Sequence, residues 1–301
     1  MMDIIQVKGN TFCIDTGMTY IPYYQINEEE IILLDSGWAK GERKGIDELL
    51  ESRGFKVAAI LCSHAHIDHV GNNAYYKEKH GSTIAMPSFE ALLCSSVNHL
   101  KTFYSGQTLT EITEHYGNMI CETDILISDE QEKIYLCGVK FKIIHTPGHS
   151  PAHICIVTPD NVAYLGDALI SHDVMKGSKI PYAFILSEDL RSKKKLYGLR
   201  CSKYIVAHRG IYDDITDLIT DNIDCYRERA ERIYAVVEGA MTKEDILKAA
   251  IKKYNIQVNT IYKYAFVDRM LHSYIEYLHE TGRLTLNIDH GFLKYSKADH
   301  A

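Results

Sequence analysis

The sequence predicts an α/β fold with a small α+β segment at its C-terminal end. Three observations carry this. Short apolar runs alternate with helix-like stretches over the first 238 residues. The run Val57–Cys62 is apolar throughout, as in a strand buried on both faces. Near Gly239 the pattern changes to two helices and a hairpin. With 301 residues the chain is long enough for one large domain or two unequal ones, here 1–238 and 239–301. Hydrophobic residues make up 46% and charged residues 24%, which excludes a disordered or fibrous chain.

Thr11–Ile14, Ile21–Ile26 and Ile31–Leu34 are strand-like, and the last runs into Asp35-Ser36-Gly37. Gly41–Ser52 reads as a helix, with Ile46, Leu49 and Leu50 on one face and Gly54 just beyond its end. Val57–Cys62 leads into Ser63-His64-Ala65-His66-Ile67-Asp68-His69, and a helical stretch follows from Val70 to His80. Pro87–Asn98 predicts another helix. Leu100–Glu122 is polar, rich in Thr, Tyr and Gly and without a period; its length suggests a functional cover or a helical insertion. Lys133–Leu136, Val139–His145, His153–Val157 and Val162–Leu165 follow as strands, Leu186–Leu199 as a helix and Tyr204–Ala207 as a short strand. Asp213–Val237 carries apolar residues at 215, 219, 223, 226, 230, 233 and 237, a helical repeat. Thr242 with Asp245 makes an acidic capping box that opens a helix to Tyr254. Apolar positions 261, 264, 267, 271, 274 and 278 mark a second helix, stopped by Thr281-Gly282. Leu284–Ile288 and Gly291–Tyr295 then pair as a hairpin, and this order is winged-helix-like.

Composition removes several function classes. The 33 basic and 40 acidic residues give a net charge of -7, which is not the footprint of a dedicated nucleic-acid binder. No run of 18 apolar residues exists to cross a membrane as a helix. The N-terminus shows no basic region followed by an apolar core, so no secretory signal is expected. Eight cysteines are scattered without a Cys-x-x-Cys pair, the usage of a reduced, cytoplasmic protein.

The chemistry centres on His64-x-His66-x-Asp68-His69. Imidazole and carboxylate groups suit a borderline cation such as zinc, and four of them within six residues make a ligand cradle. Thr146-Pro147-Gly148-His149, Gly166-Asp167 and Ala207-His208-Arg209-Gly210 each follow a predicted strand, where open sheets place their chemistry.

His64, His66, Asp68 and His69, followed by His149, Asp167 and His208, resemble the metallo-β-lactamase superfamily in order and spacing over about residues 1–235. The resemblance implies an αβ/βα four-layer sandwich with a two-metal site at one edge of its sheets. By the same resemblance, His64, His66 and His149 hold one divalent ion, Asp68, His69 and His208 hold the second, and Asp167 bridges them. Zinc is the expected metal, with iron and manganese also compatible. Such a pair activates a bridging hydroxide for attack on a carbonyl or phosphorus, with Asp68 handling the proton. The C-terminal segment is similar to the winged-helix appendage of some hydrolases in this superfamily.

Departures narrow the class. The main zinc β-lactamases place cysteine where this chain has Asp167, and the di-iron branch places glutamate where it has His66. Lactonases of the superfamily often carry tyrosine three residues after the bridging aspartate, a position filled here by Ile170. The expected function is therefore hydrolysis of a small ester or thioester, glyoxalase-II-like. Phosphodiester or RNA cleavage at the same centre is the alternative, and a ligand-sensing DNA-binding regulator ranks below both. A homodimer through the C-terminal segment is a further expectation.

Residues outside the motif carry smaller expectations. Asp35 resembles the superfamily's first-strand aspartate, which orients a ligand histidine. His153 is placed to approach the site, His172 and Asp173 to face substrate, and Arg209 to receive an anionic group. Tyr104, Tyr116 and Tyr182 fall in segments able to cover a pocket. Lys193-Lys194-Lys195 reads as a solvated helix face.

Overall fold

The computed structural model describes residues 2–298. The outer ends of the two expected domains, residue 1 and residues 299–301, lie outside the described residues.

The first half of the chain builds a seven-stranded sheet. β1 (Asp3–Lys8), β2 (Thr11–Asp15), β3 (Tyr20–Gln25) and β4 (Glu30–Leu34) form an antiparallel meander. Helix α1 (Arg43–Ser52) crosses to β5 (Lys56–Leu61), and the short α2 (Ile67–Val70) with α3 (Asn73–His80) leads to β6 (Thr83–Pro87). Helices α4 (Ser88–Cys94), α5 (Val97–Phe103) and α6 (Leu109–Tyr116) then precede β7 (Ile125–Ile127). Strand order follows chain order, and β4 to β7 run parallel.

The second half begins with β8 (Lys133–Leu136), β9 (Val139–His145), β10 (Ile154–Val157) and β11 (Val162–Tyr164). After α7 (His172–Gly177) and α8 (Leu186–Lys195), β12 (Lys203–Val206) and β13 (Gly210–Tyr212) complete a six-stranded sheet in the order β13-β12-β11-β10-β9-β8. Helices α9 (Thr216–Tyr234), α10 (Lys243–Tyr254) and α11 (Ile261–Glu280) follow, then the hairpin of β14 (Leu284–Asp289) and β15 (Phe292–Lys297).

Side-chain alternation explains the layering. In β4, Ile32 and Leu34 point toward the other sheet while Ile31 and Leu33 face the helices outside; in β10, Ile154 and Ile156 point inward while Cys155 and Val157 point out. Both faces are therefore apolar, and each sheet is covered by helices on its outer side: α1 and α3–α6 on the first, α7–α11 on the second. The buried side chains of the C-terminal segment, among them Leu247, Leu271, Tyr274 and Leu284, belong to the same core as Leu190 and Ile219. The expected boundary after residue 238 falls in the link between α9 and α10, and the buried core runs across it. Among the described residues no helix is long and apolar enough to cross a membrane.

Several elements differ from expectation. Pro87–Asn98 is not one helix: it breaks at Ser95-Ser96, where the Ser96 side chain accepts from His99 N–H and starts α5 afresh. The polar 100–122 stretch is largely helical, and Thr108 with Glu111 closes a capping box at the head of α6. Strands β1, β6, β7 and β13 were not anticipated, nor was α7. The lysine run is only partly solvated: Lys193 is fully buried, 2.5 Å from Asp189 one turn earlier and 4.3 Å above the Tyr226 ring. A buried ammonium needs such a partner, because desolvation alone costs several kcal/mol.

Candidate metal centre

Each ligand-bearing segment begins just past the carboxyl end of a strand. His64 follows β5, His149 follows β9, Asp167 follows β11 and His208 follows β12. Backbone bonds pin the two sheets together at this edge: Tyr20 N–H donates to the Ala207 carbonyl (2.7 Å) and Ile154 N–H to that of Ser63 (3.0 Å). His66 leaves the strand in extended conformation and caps α2, whose first turn then presents Asp68 and His69.

The side chains converge in two groups. His64 Nε2 is 2.9 Å from His66 Nδ1, which is 3.1 Å from His149 Nε2. Asp68 Oδ2 lies 3.9 Å from His69 Nε2 and 3.6 Å from His208 Nε2. Asp167 Oδ2 stands between the groups, 3.2 Å from His149 Nε2, 3.3 Å from His208 Nε2, 3.6 Å from His69 Nε2 and 4.0 Å from His64 Nε2. His64, His69, His149 and Asp167 are buried, whereas Asp68 and His208 are partly open to the cavity above.

Charge distribution fits a cation. Burial, then the neighbouring imidazoles, hold His64 and His66 far below the ordinary histidine range, so both rings are neutral and each has one nitrogen free to act as a ligand. His69 Nε2 and Asp167 Oδ1 are buried without any hydrogen-bond partner. Burial would raise the Asp167 pKa, but His208, His69 and His149 outweigh it and keep the carboxylate ionised. Polar atoms buried without a partner in this way are costly unless a bound group such as a cation meets them.

A second ring of residues fixes these ligands. Asp35, at φ 65°, accepts from Ser63 N–H (2.6 Å), Ser63 Oγ (2.6 Å) and Tyr164 Oη (2.6 Å), and faces His69 Nδ1 at 2.8 Å. That contact fixes the direction of the His69 ring. His153 lies beneath the site, where its Nε2 accepts from Asp167 N–H (3.1 Å) and its Nδ1 meets Thr146 Oγ1 (2.8 Å).

Three residues expected near substrate lie elsewhere. His172 opens α7, which directs its ring outward to Asp221 on α9 (2.8 Å). Arg209, at φ 63°, turns toward Asp15 Oδ2 (3.4 Å) and the Gly17 carbonyl (3.3 Å). Neither lines the cavity above the ligands, and Asp173 beside His172 is likewise outside it. Tyr104, Tyr116 and Tyr182 do line it, along with Trp38, Phe266 and Arg269.

Glu90 on α4 was not legible in the sequence. Fully buried, it accepts from Ala65 N–H (2.9 Å), between His64 and His66, and from Ser150 Oγ (2.6 Å) and Ala152 N–H (2.9 Å), just past His149. One carboxylate thereby ties together the two loops that carry the first ligand group. Glu90→Gln puts an amide NH2 against N–H donors, and we expect a loss of about 2 kcal/mol in stability together with weaker metal retention. Thermal unfolding and metal content after dialysis check this; unchanged values for both exclude the brace.

A family model described as "Metallo-beta-lactamase superfamily" matches residues 5–208. An uncharacterized Aquifex aeolicus protein is 32% identical over 190 residues, covering 62% of this chain and 81% of that protein. A hydroxyacylglutathione hydrolase from Haemophilus influenzae is 25% identical, covering 63% and 84%, and one from Pelagibacter ubique is 28% identical, covering 67% and 77%. Among solved structures, a beta-lactamase domain protein from Burkholderia ambifaria superposes with a TM-score of 0.73 at 15% identity, covering 98% of this chain and 94% of that one. A metallo-beta-lactamase family protein from Thermus thermophilus gives 0.69 at 18% identity, covering 93% of each. At these identities the structural likeness speaks for the fold alone.

Proposed function

Because the chain belongs to the metallo-beta-lactamase superfamily and is a metal-dependent hydrolase, we propose that it hydrolyses a small ester or thioester at a centre holding two divalent ions. The observation that carries this reading is the position of Asp167 Oδ2, within 4.0 Å of imidazole nitrogens from both ligand groups. His64, His66 and His149 would hold one ion, Asp68, His69 and His208 the other, with Asp167 shared. Five imidazoles and two carboxylates suit zinc, and they accept iron or manganese as well. When bound, the two ions polarise the scissile carbonyl and lower the pKa of water toward neutrality.

The chain's own residues supply the rest. Asp35 and His153 hold His69 and the Asp167 backbone in place, so the ligand set is ordered before substrate arrives. Asp68, partly open to the cavity, is positioned to take a proton from the attacking water and return it to the leaving group. The likeness to two hydroxyacylglutathione hydrolases supports an acyl thioester over a phosphodiester.

The test offers a glutathione thioester, an aryl ester and an aryl phosphodiester to metal-replete protein, with His66→Ala as blank. Thioester or ester turnover that vanishes in the blank supports the reading. Turnover of the phosphodiester alone overturns it in favour of nuclease-like chemistry.

Metal loading should also release protons. Asp167 pushes the His208 pKa up to about 9, and Asp167, Asp68 and Asp35 together raise that of His69 against the effect of burial. His208 is therefore protonated in metal-free protein at pH 7.5 and His69 is biased the same way, and a ligand nitrogen must give up its proton. Titrating zinc in buffers of different ionisation enthalpy should report about one or more protons released per chain, with affinity falling as pH is lowered. Release near zero would show that these rings do not bind the metal.

A further inference from the structure

The candidate ligands face a cavity of about 410 Å³ whose wall is mostly aromatic. Tyr182 turns its edge to His66 and His149, with ring centroids 5.0 and 5.1 Å away, and stacks on Phe266 of α11 at 6.0 Å and 12°. The Tyr182 hydroxyl is buried and has no hydrogen-bond partner. Trp38, the chain's single tryptophan, lines the same space.

One cation outside the ligand cluster lines this wall. Arg269 lies over the rings of Phe103 (4.5 Å) and Tyr104 (4.3 Å) and donates through Nη2 to the Phe103 carbonyl. Among the described residues no carboxylate pairs with it; the adjacent Asp268 is taken by Lys243 at 2.8 Å. A guanidinium has five N–H donors, and stacked on rings with donors to spare it is ready for an anion. Arg269, Tyr104, Tyr116 and Phe266 also border a second cavity of about 370 Å³, which gives a longer molecule room to continue past the guanidinium.

We propose that the substrate is an ester or thioester with a flat, aromatic acyl group and an anionic group held by Arg269. This rests on the hydrolase reading above and specifies its substrate class. The ring packs against Tyr182 and Phe266, which sets the acyl carbonyl at the ligand cluster. The carboxylate or phosphate partner of Arg269 belongs either to the acyl group or to the thiol or alcohol carrier.

The test separates binding from turnover. Thioether analogues, in which a methylene replaces the carbonyl, cannot be hydrolysed, and their binding is read by the fluorescence of Trp38 in the metal-loaded protein. Benzyl and hexyl thioethers of N-acetylcysteamine compare ring with chain. A carboxylate placed on the ring, or on the thiol part, locates the anion. We expect the benzyl compound to bind about tenfold tighter than the hexyl one. One of the two carboxylates should add at least another tenfold. Arg269→Gln should abolish that gain, and Arg269→Lys should restore part of it. In the unmutated protein, rising salt should erode the carboxylate's gain and leave the neutral pair unchanged.

Equal or tighter binding of the hexyl compound overturns the proposal. So does a carboxylate effect that is absent or indifferent to both salt and Arg269→Gln. In the same protein, turnover of the matching thioesters tests the hydrolase reading. Tight, Arg269-dependent binding without turnover would sink that reading and leave the binding assignment standing.

Discussion

Asp167→Asn should strip the centre of metal and lower kcat/KM for any ester or thioester by at least about 10³-fold. Partners that merely orient a metal ligand are typically worth 10–100-fold, and a carboxylate shared by two ligand groups exceeds that. Asparagine keeps the shape of the side chain and removes its charge. His208 and His69 then lose the main anion that raises their pKa values, and the amide offers no ionised oxygen between the two groups. The fold should survive, because the Asp167 backbone remains held by His153. Metal content after desalting, measured beside kcat/KM, decides the matter. A variant that retains its metal and its rate would remove Asp167 from the site.

The second large effect is structural. Gly148 sits at φ +126°, a region that side chains rarely enter, and its carbonyl accepts from Phe184 N–H (2.8 Å) and Ile185 N–H (2.9 Å). A Cβ there would fall 2.1 Å from the backbone nitrogen of Asp189 and 2.3 Å from its Cα. Helix α8 cannot yield easily at that point, since Asp189 is also the partner of the buried Lys193. Gly148→Ala should therefore cost 3 kcal/mol or more, roughly 6–10 °C in Tm, and should displace His149 from the first ligand group. Thermal unfolding with and without metal measures it. An alanine variant of unchanged Tm would mean that the His149 loop does not seat against α8 this closely.

Why some parts were legible follows from where the information lies. The seven motif residues are chemically loud and fall at strand ends, so their convergence could be anticipated from spacing and resemblance. Strands buried on both faces, such as β5, announced themselves through unbroken apolar runs. The missed strands are short or marginal: β7 and β13 span three residues each, β1 is half-exposed at the sheet's edge, and β6 closes on Pro87. Glu90 resembles any other helix glutamate until α4 is seen to lie behind two ligand loops. Arg269 lies more than sixty residues from every cavity-lining residue outside its own helix, so only packing brings it there. The sequence points His172, Asp173 and Arg209 toward the cavity wrongly for a related reason. Adjacency in sequence to a ligand does not fix direction: a helix start sends His172 outward, and a positive φ turns Arg209 away.

The division of ligands between the two sheets has a consequence for how the molecule is made. His64, His66, Asp68 and His69 belong to the first sheet, while His149, Asp167 and His208 hang from the second. During synthesis the first sheet emerges with half a centre, and neither ligand group is complete until β9 and β12 have been added and docked. A growing chain therefore has no full coordination sphere to offer while its second half is still being translated. With the ligand set proposed above, metal acquisition would be a late event in the protein's biogenesis, and a loaded centre would certify that both halves have been correctly joined.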